Sequence, residues 1–253
     1  MMEQFLDWFP LDIGLIAQNY DRFLYGVGMT LTLTFLSLAL GGLLAIPMAI
    51  ARASRNRILN PVIWAYTYVF RGTPLLVQTY LIYYGVGQFE VIRQSWLWDP
   101  ILSSAWWCAL IAFTLNTAAY TTELLRGAIV DTPAGEVEAA IATGHSYRGR
   151  MRRIILPSAF RRAIPAYSNE VIFMLHGSVV ASTITLQDIL GVGRWLNGRY
   201  YLAYEGFITA ALLYFVIVLC ITTVFRWVER RYLRHLTRQN AEIAAEMTPD
   251  PAR

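Results

Sequence analysis

The sequence predicts an all-α membrane protein with five transmembrane helices, its amino end outside the membrane and its carboxyl end in the cytoplasm. Three observations carry this prediction. Of 253 residues, 56% are apolar and only 15% are charged, a balance too apolar for an ordinary soluble domain of this length. Five apolar stretches are long enough to cross a hydrocarbon core of roughly 30 Å, which takes about 20 helical residues. The arginines gather in alternate connections, as they do where cationic loops stay in the cytoplasm.

The five stretches lie near residues 24–51, 62–86, 105–125, 163–185 and 207–225. The first exceeds the about 7 to 15 residues of a signal-peptide core, and no small-residue cleavage site follows it, so it reads as a permanent span. In the second, Arg71 sits near the middle, and Gly72 and Pro74 beside it predict an interrupted helix. The loop after the first span carries Arg52, Arg55 and Arg57 with no acid. The loop 126–162 has seven arginines against Asp131, Glu136 and Glu138, and the segment after the fifth span adds Arg226, Arg230, Arg231, Arg234 and Arg238. The opposite connections hold Glu3, Asp7, Asp12, Asp21, Glu90, Asp99 and Asp188 with few cations. The net charge of +4 is thus a topology signal and not a nucleic-acid footprint.

Several chemistries are excluded. Every one of the 21 basic residues is arginine, so a GxxxxGK[ST] phosphate loop is impossible for want of its lysine. Gly191, Gly193 and Gly198 have the spacing GxGxxxxG, which misses the dinucleotide fingerprint and reads as an outside turn. Cys108 and Cys220 fall inside spans and read as packing residues, with no metal-ligand spacing. No catalytic residue is predicted, because no nucleophile has an oriented base.

The organisation is one domain. Residues 1–22 are acidic and aromatic, with Trp8 and Phe9 suited to the headgroup level, and read as an amphipathic helix on the outer face. Residues 23–238 form the transmembrane domain. Residues 239–253, with two prolines and no aromatic, read as a flexible cytoplasmic tail.

The loop 126–162 is too long and too well patterned for a passive connection. Good helix formers run from about Glu136 to Thr143, with Glu136 and Glu138 in the first turn at the positive end of the helix dipole, and Gly144 ends the helix. Arg148, Arg150, Arg152 and Arg153 flank it, available to lipid phosphates or to acidic groups of a partner. Within this loop Glu138, Ala139, Ala140, Gly144, Ile154, Leu156 and Pro157 have the spacing E-A-A-x3-G-x9-I-x-L-P. At this pattern the chain resembles the permease subunits of binding-protein-dependent ABC importers, in which it marks the loop that docks on the ATP-binding subunit. RGTPLLVQ from Arg71, FTLNTAAYTTELLRGAI from Phe113 and LPSAFRRAIPAYSNEVIFMLH from Leu156 extend the resemblance. They are most similar to the polar amino-acid uptake family, in particular the M-type subunits of the histidine/lysine/arginine/ornithine and octopine/nopaline importers.

The resemblance implies a type I ABC importer permease architecture in the bacterial inner membrane. It implies an ATP-binding subunit dimer beneath the bilayer, a second similar permease, as a heterodimer or a homodimer, and a periplasmic substrate-binding protein. The chain itself would need no cofactor, with ATP and Mg held by the ATP-binding partner. The implied cargo is a basic amino acid or an opine, with a neutral or acidic amino acid such as glutamine as the alternative. A self-sufficient channel or ion-coupled transporter is the reading from another class, and the docking loop argues against it.

Ionisable groups inside a bilayer cost at least about 2.5 kcal/mol, so each one present asks for a partner or a wet cavity. Arg71 reads either as a pathway element or as a structural ion-pair partner, with Glu123 near the cytoplasmic end of its span as one candidate mate. Asn169 and His176, seven residues apart, share a helical face with Glu170 at its edge. That face is a candidate substrate pathway together with Arg71 and Asn116, or a stripe that joins helices through hydrogen bonds. Glu170 either meets a cationic cargo or pairs with Arg71 or an arginine of the second permease.

Overall fold

The computed structural model describes residues 13–54 and 56–232, and every regular element among them is a helix. The chain opens with α1 (Ile13–Gln18), turns at Asn19, whose amide donates to the Leu15 carbonyl at 2.9 Å, and enters α2 (Tyr20–Ala53). With 34 residues, α2 is about 51 Å long, more than a hydrocarbon core requires. Ser37, Gly41, Ala45 and Ala49 recur every fourth residue on one buried face. Small side chains on that face let a second helix approach closely. At Gly41 the approach is tightest. A Cβ there would lie 2.4 Å from the Thr117 methyl and 3.1 Å from the backbone at Thr114 and Ala118.

After α2 come α3 (Leu59–Gly72), an extended step at Thr73 and Pro74, and α4 (Leu75–Tyr80), which runs on through a π turn at Leu81–Gly85 and a 3-10 turn at Val86–Gln88. The interruption falls where Gly72 and Pro74 predict it. A short α5 (Glu90–Arg93) and a π turn at Trp98–Leu102 lead to α6 (Ala105–Val130), the central helix of the bundle. From Ala112 to Ala119 every residue but Leu115 is buried, so α6 is enclosed on all sides. Its threonines lower its apolar character, and the hydroxyls of Thr114, Thr121 and Thr122 are buried without a hydrogen-bond partner among the described residues.

The long connection folds as α7 (Ala134–Ala142), α8 (Tyr147–Arg150) and a π turn at Met151–Ile155. α9 (Leu156–Gly177) follows and tightens into a 3-10 segment, Ser178–Ile184. The chain then forms α10 (Ile189–Tyr200) and α11 (Ala203–Tyr232). Here the turn expected at Gly191, Gly193 and Gly198 is corrected: all three lie in α10. The fully buried Asp188 caps this helix by accepting from the Gly191 N–H at 2.7 Å, and it also accepts from the Tyr214 hydroxyl at 3.2 Å. Gly193 meets Gly206 of α11 backbone to backbone, since a Cβ on Gly193 would sit 2.8 Å from the Gly206 carbonyl oxygen. Glycine serves close helix contact here and not a turn.

The core has two layers along the bundle. One gathers Leu33, Leu38, Leu110, Phe113, Met174, Leu175 and Ile184, and the other Ala45, Ala49, Leu125, Ile129, Met151, Ile155 and Ala159. By length and apolarity alone, α2 and α11 qualify as membrane spans, and a third arises if the pair Tyr147–Ile184 and Ile189–Tyr200, bent by 41°, counts as one. α6 is long enough at about 39 Å, but Asn116, Glu123 and Arg126 lower its apolarity along with its threonines. Of the amino-terminal segment 1–22, α1 and the start of α2 are described. Residues 1–12, Arg55 and the tail 239–253 lie outside the described residues.

Candidate functional site

A cavity of about 560 Å³ opens beside the break between α3 and α4, a volume suited to a small-molecule ligand. Arg71, Asn116, Tyr120 and Glu170 supply its polar wall, and Leu75, Phe173 and Met174 its apolar one. The break is what places Arg71 there. In a continuous helix the Phe70 carbonyl would accept from residue 74, and Pro74 has no N–H to give. Two side chains take over this role. The Gln78 amide donates to the Phe70 carbonyl at 2.8 Å and to the Thr73 carbonyl at 3.0 Å, while Asn116 donates to Phe70 at 3.2 Å and to the Gln78 side-chain oxygen at 3.0 Å. Asn116 therefore faces the cavity and also seals the break. Gln78 was not singled out from sequence. The usable signal was the proline, which announces an orphaned carbonyl four residues before it.

Arg71, in the last turn of α3, is exposed on the cavity, its guanidinium 5.3 Å from the centroid of the Tyr120 ring. The Tyr120 hydroxyl in turn donates to the Arg71 carbonyl at 3.2 Å. Such a cation–π contact orients an arginine without neutralising it. The pairing of Arg71 with Glu123 is corrected. Glu123 accepts from Arg52 Nε at 3.0 Å and from Arg126 Nε at 2.6 Å, with the Thr67 hydroxyl at 3.1 Å as a third donor. Arg52 also donates to the Asn60 side chain. This network fastens the α2–α3 connection to α6. Charge matching explains it, since two arginines share the one acid at their level, while Arg71 lies four residues, about one turn, beyond Thr67, the α3 residue that meets Glu123.

Glu170 is buried at 7% exposure and accepts from the Thr117 hydroxyl at 2.7 Å. It lines the cavity with Arg71, and no ion pair joins the two among the described residues. Asn169 and His176 are exposed on the next face of α9 with Phe173 between them, outside the cavity wall apart from Phe173. The cavity thus gathers Arg71, Asn116 and Glu170, and the outward stripe carries Asn169 and His176.

The patterned loop divides by direction. Ala140 is buried, Ile154, Leu156 and Pro157 are half-buried, and Glu138, Ala139 and Gly144 are exposed beside the exposed Ile141. Glu136 occupies the first turn of α7, whereas Glu138 lies beyond it. Gly144 adopts φ +75°, with Gly144 N–H bonded to Ile141 and His145 N–H to Ala140, the paired closure of a left-handed helix end. The outward residues form a small-sided ridge, and beside it Arg148, Arg152 and Arg153 border a polar depression of about 840 Å³.

A polar cavity at a broken helix within an apolar bundle, with a basic surface loop rooted in the core, defines a membrane transport subunit. The chain belongs to the binding-protein-dependent transport system inner membrane components, whose family model matches residues 41–234. It is therefore an inner-membrane permease of a binding-protein-dependent ABC importer. The histidine/lysine/arginine/ornithine transport system permease protein HisM of Salmonella typhimurium is 45% identical over 212 residues, 84% of this chain and 90% of that protein. The octopine transport system permease protein OccM of Rhizobium radiobacter is 42% identical over 234 residues, 90% of this chain and 95% of that one. Among solved structures, an amino acid ABC transporter crystallised with histidines matches with a TM-score of 0.78 and 32% identity, covering 87% of this chain and 98% of that one.

Proposed function

We propose that this permease carries a basic amino acid or an opine, with Glu170 and Arg71 as the charged contacts of the pathway. One observation carries the cargo assignment: a buried carboxylate and a guanidinium without a carboxylate mate among the described residues share a single cavity. A cargo with a cationic side chain and a carboxylate complements both. Guanidinium would meet Glu170 through charge-assisted hydrogen bonds, and Arg71 suits the carboxylate. Names of the relatives, which cite histidine, lysine, arginine, ornithine and octopine, support the same class.

The exposed stripe of Asn169, Phe173 and His176 then faces a second permease across the pathway, in a heterodimer. The ridge of Glu138, Ala139 and Gly144 docks on a dimer of ATP-binding subunits, which hold ATP and Mg and perform the hydrolysis. A periplasmic binding protein delivers the cargo. Five spans, formed by α2, the broken α3–α4 unit, α6, α9 and α11, put the amino end in the periplasm and the arginine-rich loops in the cytoplasm. Residues 23–238 form that transmembrane domain, between the outer segment 1–22 and the tail 239–253. In a chain with Cys108 and Cys220 replaced, an impermeant thiol reagent added outside should label a cysteine at Gln94 and spare one at Ser146.

The complex reconstituted in liposomes with its binding protein tests the cargo. ATP-driven uptake of arginine, lysine, histidine and octopine should exceed that of glutamine. Glu170→Gln keeps the shape and removes the charge, and loss of such a pair costs at least about 2 kcal/mol, or about 30-fold. Uptake of arginine should fall by that factor with glutamine uptake and complex yield unchanged. Equal losses for both cargoes would make Glu170 structural and favour a neutral cargo.

A further inference from the structure

On the opposite side of α9 from the exposed stripe lies a second cavity, an apolar groove of about 460 Å³ between α2, α6, α9 and α11. Gly42, Ile46, Leu125, Ile164, Phe225 and Val228 make most of its wall. Besides the buried Thr121, two polar side chains break the pattern. Arg161 borders the groove near the start of α9, is exposed, and has no ion-pair partner among the described residues. Its neighbour Arg162 is committed, donating to the Ser158 hydroxyl at 2.6 Å, to the Ala128 carbonyl at 2.9 Å and to the Thr132 hydroxyl at 2.8 Å. Tyr167 is the second. Its hydroxyl lies 3.9 Å from where a Cβ on Gly42 would stand. Along the helix it is six residues, about 9 Å, beyond Arg161.

We infer that this groove is a binding site for one anionic phospholipid: an acyl chain fills the apolar slot, the phosphate meets Arg161, and Tyr167 donates to an ester carbonyl. A transmembrane bundle in an inner membrane is bathed in lipid, so the occupant is at hand. Charge decides which lipid. Apolar walls give no preference between acyl chains in the slot and acyl chains in the bilayer, because the two surroundings are equally apolar. The unpaired guanidinium does give a preference, since a basic residue at the membrane surface favours an anionic headgroup by about fivefold. Arg161 meets the phosphate in whichever leaflet the topology places it, so the inference does not rest on the orientation proposed above.

The test uses the complete complex, with its ATP-binding and second permease subunits, in nanodiscs. Phosphatidylglycerol and phosphatidylcholine, each with a diazirine midway along one acyl chain, serve as probes, and labelled peptides are mapped by mass spectrometry. Peptides around Gly42–Ile46 and Phe160–Tyr167 should be labelled about fivefold more by phosphatidylglycerol than by phosphatidylcholine. Arg161→Gln should equalise the two while leaving chain labelling in place. Gly42→Leu, which places a side chain in the slot, should lower labelling by both lipids. Should that variant fail to assemble, the comparison of Arg161→Gln with the native chain decides alone. Equal labelling by the two lipids in the native complex would overturn the site. So would labelling no stronger than at Leu212 and Phe215 on the exposed face of α11, or none because another subunit covers the groove.

Discussion

Replacing Gln78 by leucine tests whether side-chain amides hold the broken helix together. Gln78 is 6% exposed, so water cannot substitute for it. Its loss leaves the Thr73 carbonyl without its 3.0 Å donor and Asn116 without its 3.0 Å acceptor, while Phe70 keeps the Asn116 amide at 3.2 Å. A buried polar group stripped of its partner costs about 1 to 3 kcal/mol, which applies to the buried Asn116, whereas the exposed Thr73 lines the cavity and its carbonyl can turn to water. Because Asn116 stays on the Phe70 carbonyl, its share lies at the low end, and with a smaller loss at Thr73 the total is about 2 kcal/mol. Equilibrium unfolding in mixed micelles titrated with dodecyl sulfate reads this directly. The companion variant Pro74→Ala returns an N–H to the break, so Gln78→Leu should cost about 1 kcal/mol less in that background. A cost below about 1 kcal/mol in the native background, or an identical cost in both, would refute the reasoning. Arginine uptake should fall along with stability, because the same amides position Arg71.

Glu123→Gln leaves Arg52 and Arg126 without their shared carboxylate at a site where the Glu123 side chain is 12% exposed, and should cost about 3 kcal/mol in the same unfolding titration. Arg126→Gln, whose side chain is 35% exposed, should cost under about 1 kcal/mol, and a reversal of that order would show that the network is misassigned. Gly41→Ala drives a methyl against Thr117 and should cost about 2 kcal/mol, part of which Thr117→Ser recovers by removing the opposing methyl while keeping the hydroxyl on Glu170. Gly144→Asp meets nothing within 4 Å in this chain and strains only a left-handed residue, a penalty of about 1 kcal/mol, so the subunit should express and fold. Binding-protein-stimulated ATP hydrolysis and uptake should nonetheless drop at least tenfold, and normal uptake by the stable variant would sink the docking role.

What was legible in the sequence was what neighbouring residues decide. α2 and α11 are uniformly apolar over a whole span, Pro74 breaks a helix by its own chemistry, and Gly144 ends one by accepting a positive φ. Glycines of α10 misled for the same reason. Locally they resemble a turn, and what makes them helical is the Asp188 cap together with a backbone contact to Gly206, thirteen residues past Gly193. Ion pairing was only half within reach. Arg126, three residues past Glu123, is a pair that helical spacing offers, but the second partner, Arg52, is 71 residues away, and the contact of Arg71 is an aromatic ring. Glu170, Asn169 and His176 share a helix, yet a rotation of about 100° about its axis separates the buried carboxylate from the exposed stripe.

The root of the docking loop has a mechanical consequence. Met151 and Ile155, just after the basic stretch, are packed in the same layer as Ala45 and Ala49 of α2 and Leu125 and Ile129 of α6, and Val137 of α7 leans on that layer. Interiors packed at this density are barely compressible and pass strain on. Alanine makes the joint stiffer still, because it has no rotamer through which to yield. A partner that pulls on the outer ridge of α7 therefore meets no soft bearing. The load goes straight into α2 and α6, the second of which carries Asn116 and Tyr120 in the wall of the cavity, so that a displacement begun at the loop reaches that wall with little of its travel lost on the way.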